Sequence, residues 1–106
     1  IVVRQDVHEA HPWVAQSLVK AFEQSKALAY RDLRETTALK VMLPWLTTQA
    51  EEAFELMGDD PFSYGLEPNR KVLETFLRYS HEQHLTPRLV SADELFAPST
   101  TKVSHI

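Results

Sequence analysis

A chain of 106 residues, 43% apolar, with eleven basic against fifteen acidic residues and a net charge of −4, supports one ordinary globular domain and leaves no room for a second. The basic residues form no stripe, so nothing in the charge pattern points to DNA or RNA, and no apolar stretch approaches the roughly 18 residues of a membrane span. The absence of cysteine removes disulfides, thiolate nucleophiles and cysteine metal sites, which fits a cytoplasmic setting.

In chain order, Ile1-Val2-Val3-Arg4 is a β-branched apolar run without an initiator Met. It is expected to be a strand over residues 1–5, entered from an upstream part of a larger protein. Asp6–His11 is a polar connector, and Pro12 sits where the first turn of a helix tolerates it. From there to Glu35, residues Val14, Leu18, Ala21, Phe22, Ser25, Leu28, Ala29 and Leu33 recur at spacings of three and four, so the pattern predicts a helix over 12–35 with one buried stripe. Ala38–Leu43 is an apolar run ended by Pro44, assigned to a short helix.

Thr48 with Glu51 has the spacing of a capping box, which predicts a helix over 48–57 carrying Ala50, Ala53, Phe54 and Met57 inward and stopping at Gly58. Asp59–Glu67, which contains Pro61 and Gly65 and is followed by Pro68, is a loop. Pro68 opens a third helix over 68–83, with Val72, Leu73, Phe76, Leu77 and Ser80 as its buried face. Arg88–Val90 is the only other candidate strand. Ser91 with Glu94 repeats the capping-box spacing ahead of a single turn. The expected fold is therefore mainly α: three long helices plus short ones, after one N-terminal strand. Trp13, Trp45 and the run around Leu39–Leu46 offer more apolar surface than three such helices cover. An exposed patch of several hundred Å² (order of magnitude), facing a partner chain or a missing lobe, is expected.

Read in order, Arg4-Gln5-Asp6-Val7, His11-Pro12-Trp13-Val14-Ala15, Leu43-Pro44-Trp45-Leu46, Met57-Gly58-Asp59-Asp60, Tyr64-Gly65, Pro68–Leu77 and Glu94-Leu95-Phe96-Ala97-Pro98-Ser99-Thr100 resemble the C-terminal third of the 4,5-dihydroxyphthalate decarboxylase family. That family in turn resembles the type 2 periplasmic binding proteins, two α/β lobes around a ligand cleft. The resemblance makes residues 1–106 a single C-terminal segment, with the first strand leaving the hinge and the helices packing on one lobe. It implies a carboxy-lyase that converts 4,5-dihydroxyphthalate to 3,4-dihydroxybenzoate and carbon dioxide without oxidation and without a cofactor. The piece alone is expected to be inactive, with most catalytic groups upstream. The expected partners are the aromatic dicarboxylate, the upstream part of the same protein and further copies in a homo-oligomer. Two readings of other classes stand beside it. One is the ligand-binding component of an aromatic-acid transport system, which would be periplasmic; the other is a small helical interaction domain. One departure from the family pattern is visible: His84 stands where glycine would close the third helix.

Such a reaction needs a cation for the carboxylate that stays and a proton for the ring carbon. The junction Tyr64-Gly65-Leu66-Glu67-Pro68-Asn69-Arg70 is the local candidate: helix-start amides attract anions, Gly65 permits close approach, and Tyr64 and Arg70 reach outward as candidate substrate-binding residues. The plainer reading pairs Arg70 with Glu67 or Glu74 at the surface. His81 and His84, with Glu82 between them, have helical spacing for a metal or a proton relay but lack a third partner, so no metal site is assigned. His8 and His11 read as turn and cap residues. Trp13 and Trp45 read as anchors, or as a stacking platform for substrate.

Overall fold

The computed structural model describes residues 1–38 and 40–101. More than half of the chain is helical: α1 (Gln5–Ala10), α2 (Trp13–Arg34), α3 (Leu46–Met57) and α4 (Leu66–Glu82), followed by 3-10 turns at Ala92–Leu95 and Pro98–Thr100. No strand forms among the described residues. Ile1–Arg4 has no regular structure, and α1 occupies the connector where only coil was expected. The physical reason is that a strand needs a neighbour to take its amides and carbonyls, and among the described residues no strand pairs with Ile1–Arg4 or with Arg88–Val90. The expected short helix at Ala38–Leu43 is also absent from the described residues, which turn and bend there, while its member Leu39 lies outside them.

The described residues gather into two compact units, one of Lys20–Phe62 and one of Ile1–Val19 with residues 63–101. The second contains the small core, where Leu66, Leu77 and Ala92 are buried and Leu73, Val90 and Phe96 pack against them. In the first, Tyr30 meets the Phe54 ring edge-on at 5.5 Å between centroids, and the Arg34 guanidinium lies over the same ring at 4.3 Å.

Three helix boundaries show how the local chemistry acts. α3 begins at Leu46, so the Thr48–Glu51 capping box does not form. Instead Leu46 N–H donates to Leu43 O at 3.3 Å, closing a tight turn in which Trp45 takes φ 65°. That left-handed position is usually left to glycine or asparagine. α3 stops at Gly58, also at positive φ (83°), as the sequence predicted. α4 ends in a complete Schellman motif with a histidine in the glycine position: His84 has φ 59°, its amide donates to His81 O at 3.0 Å, and the Leu85 amide donates to Ser80 O at 2.8 Å.

Several faces expected to be inward lie open. On α2, Ala15 is buried while Phe22 and Leu28 are exposed; on α3, Met57 is exposed; on α4, Leu77 and Ser80 are buried but Val72 and Phe76 are not. Trp13, Trp45, Met42 and Leu43 are exposed as well. Helical spacing correctly marks apolar faces, but burial also requires an opposing surface, and within each unit there are too few elements to provide one.

Candidate functional site

The junction singled out from the sequence is built by α4 and the turn that follows it in the core. Gly65 is the N-cap of α4, with φ 99°. Its segment is held by Asn69, whose Nδ2 donates to Ser63 O at 2.8 Å and Gly65 O at 2.9 Å. Leu66 then drops into the core at 1% exposure, which fixes the first turn and sends Arg70, four residues on, along the same side. Pro68 falls in that first turn rather than at its start, where its missing N–H is still harmless. Tyr64 lies just outside the helix, partly exposed.

Opposite Arg70, the Ala92–Leu95 turn starts with the capping box read from the sequence: Ser91 Oγ accepts from the Asp93 amide at 3.2 Å, and the Ser91 amide donates to Glu94 Oε1 at 3.0 Å. Arg88 holds Glu94 from the other side, with Nη2 2.5 Å from Oε2. The Arg88 hydrogen bond, followed by the Ser91 amide, draws the Glu94 carboxyl down to a pKa of about 2. The turn so fixed aims Asp93 at Arg70.

Arg70 is consequently enclosed by acids. Its Nη1 and Nη2 donate to Asp93 Oδ2 and Oδ1 at 2.9 and 3.0 Å, its Nη2 to Glu67 Oε1 at 2.6 Å and its Nε to Glu67 Oε2 at 3.3 Å, and Glu74 stands 3.7 Å away. Hydrogen bonds to Asp93 and then Glu67 push the guanidinium pKa up. Those same bonds hold Asp93 and Glu67 below the usual carboxylate range. Both of its planar edges are engaged in bidentate pairs. The surface pairing with Glu67 that the sequence suggested is present, and Asp93, 23 residues away, was invisible to it because no local spacing connects the two.

A second polar cluster was missed altogether. In the Lys20–Phe62 unit, Lys26 Nζ lies 2.9 Å from Asp60 Oδ2 and 3.0 Å from Glu23 Oε2. The Tyr30 hydroxyl donates to Asp60 Oδ1 at 2.9 Å and accepts from the Phe62 amide at 3.0 Å. Burial works to lower the Lys26 pKa, and the bonds to Asp60 and Glu23 outweigh it, so the ammonium is kept. Burial raises the Tyr30 phenol. The cluster pins the Asp59–Phe62 loop to α2. Its signal was present as Glu23, Lys26, Tyr30 and Arg34, a polar row at helical spacing that reads as a solvated face until the loop is seen to pack on it.

Among the described residues, His81 and His84 do not form a constellation. α4 ends at Glu82, so His84 leaves the helix in the left-handed conformation instead of sharing a face with His81, whose Nδ1 lies 3.4 Å from Thr86 O. Among the described residues no group of three or more His, Cys, Asp or Glu side chains could hold a metal ion. Nor is any helix among them long and apolar enough to cross a membrane. Trp13 sits edge-on to His11, 6.3 Å between centroids.

No family model matches the chain. Among curated proteins, a 4,5-dihydroxyphthalate decarboxylase of Comamonas testosteroni is 44% identical over 98 residues, which is 92% of this chain and 30% of that protein. Over nearly its whole length this chain is a homologue of a 4,5-dihydroxyphthalate decarboxylase, of which it spans less than a third.

Proposed function

We propose that this chain is a helical segment of a non-oxidative decarboxylase acting on a dihydroxylated aromatic dicarboxylate, with 4,5-dihydroxyphthalate giving 3,4-dihydroxybenzoate and carbon dioxide. The observation that carries the reading is the 44% identity sustained over 98 residues. In the reaction the bond between ring carbon and carboxylate breaks, its electron pair stays on the ring carbon, and a proton takes the place of carbon dioxide. The protein must therefore supply a proton donor at that carbon and hold the second carboxylate and the catechol oxygens. We place the donor in the part of the protein beyond this segment.

Within the segment, Tyr64 and Arg70 are the residues proposed to meet the substrate. Tyr64 lies partly exposed beside the α4 start. Arg70 can serve only by exchanging Asp93 for the ligand carboxylate, and the acids already around it work against a dianion. Its surroundings favour a clamp between α4 and the Ala92–Leu95 turn. The test is the full protein assayed for carbon dioxide release from 4,5-dihydroxyphthalate, with Tyr64→Phe and Arg70→Ala beside it. A substrate role raises the KM of the variant, whereas a clamp leaves KM in place and loosens α4.

A further inference from the structure

α4 has three sides. At 100° per residue, Leu66, Leu73, Leu77 and Ser80 share one side, facing the core. Glu67, Lys71, Glu74, Arg78 and Glu82 share a second, charged side, centred roughly 130° from the first. Val72, Phe76 and Tyr79 make up the third, at i, i+4 and i+7, centred about 100° from the core side. They are 68%, 62% and 49% exposed. A helix at the surface of a finished protein segregates charge opposite a single apolar face; this one confines its charges to one third of its circumference and keeps a second apolar stripe open.

We infer that the Val72–Phe76–Tyr79 stripe is a docking face for the rest of the polypeptide, so that α4 packs between the Leu66–Leu77–Ala92 core and a second apolar layer contributed by chain outside these 106 residues. The homologue supports this occupant: seven-tenths of its length lies beyond the matched 98 residues, on the same polypeptide. Area separates it from a second copy. Three part-exposed side chains on one helix offer roughly 300 to 400 Å², short of the approximately 800 Å² per partner of a stable independent interface. A segment tethered on the same chain docks at high effective concentration and needs less.

These 106 residues contain no cysteine, so a label on the α4 peptide reports only the thiol introduced there. In the full protein, Val72→Cys, with Tyr79→Cys as a second probe, is compared with Lys71→Cys on the charged side. Maleimide labelling of the α4 peptide is read by mass spectrometry, and each rate is normalised to its value in urea. The expected result is labelling at positions 72 and 79 at least about tenfold slower than at 71, unchanged on dilution to monomer. Equal rates at all three positions would overturn the proposal by showing an open face, and protection that disappears on dilution would overturn it in favour of a second copy. The labelling reads burial and not activity, so an open α4 face and a failed decarboxylase assay are separate outcomes.

Discussion

Leu66→Ala tests whether the small core is what holds α4 in place. Leu66 is 1% exposed and packs in the cluster with Leu77 and Ala92. The substitution removes three carbons, about 2.4 kcal/mol of transfer free energy at about 0.8 kcal/mol per methylene. Some cavity cost is added. Leu73, Val90 and Phe96 are only partly buried around the site, so they can relax inward and keep the added term small. The expected loss is about 3 kcal/mol, in the lower part of the range for buried leucine truncations. Native-state hydrogen exchange of the α4 amides in the full protein reads it locally, with Leu85→Ala, 73% exposed, expected to stay within about 0.5 kcal/mol of wild type. A loss under about 1 kcal/mol for Leu66→Ala, or equal losses for the two variants, would refute the assignment of this cluster as the organising core.

Arg70→Ala is expected to speed exchange in α4 and the Ala92–Leu95 turn, and Arg70→Lys should not restore protection, because an ammonium cannot make two bidentate pairs; full protection in Arg70→Ala would remove the clamp. The carboxyls of Glu94, Asp93 and Glu67 titrate below their ordinary range in the folded chain. Their contribution is thus complete above about pH 4.3 and is lost as pH falls toward the Glu94 pKa of about 2. Urea midpoints measured between pH 5 and pH 2.5 should fall across that window, and Arg88→Gln should flatten the fall. His84→Gly is expected to stabilise by up to about 1 kcal/mol, since His84 holds a left-handed conformation that glycine adopts without strain; unchanged or reduced thermal stability would assign the histidine a role beyond capping.

What the sequence made legible was local. Gly58, the Ser91–Glu94 capping box and the left-handed His84 are each set within a few residues, and each appears in the structure where the residue chemistry puts it. Trp45 defeated the same logic, because a tryptophan in the position usually left to glycine gives no turn signal, and the Thr48–Glu51 spacing offered a plausible but unused start. Periodicity located the apolar faces of α2 and α4 without revealing which would be covered: Leu77 and Phe76 look equivalent in sequence and differ tenfold in exposure. The strand expected at residues 1–5 failed for the same reason, since pairing depends on a neighbour and not on β-branched residues alone. At the candidate site Arg70 and Glu67 could be paired by spacing, but Asp93, Lys26 and Asp60 meet their partners across 23 and 34 residues, distances over which sequence pattern carries no register.

The most direct measurement is the reaction itself. Full protein containing this segment, incubated with 4,5-dihydroxyphthalate, should consume it with stoichiometric appearance of 3,4-dihydroxybenzoate and carbon dioxide, and in deuterium oxide one deuterium should be found on the ring carbon that lost its carboxylate. Tight binding of the dicarboxylate without turnover, or no interaction with it at all, would contradict the assignment.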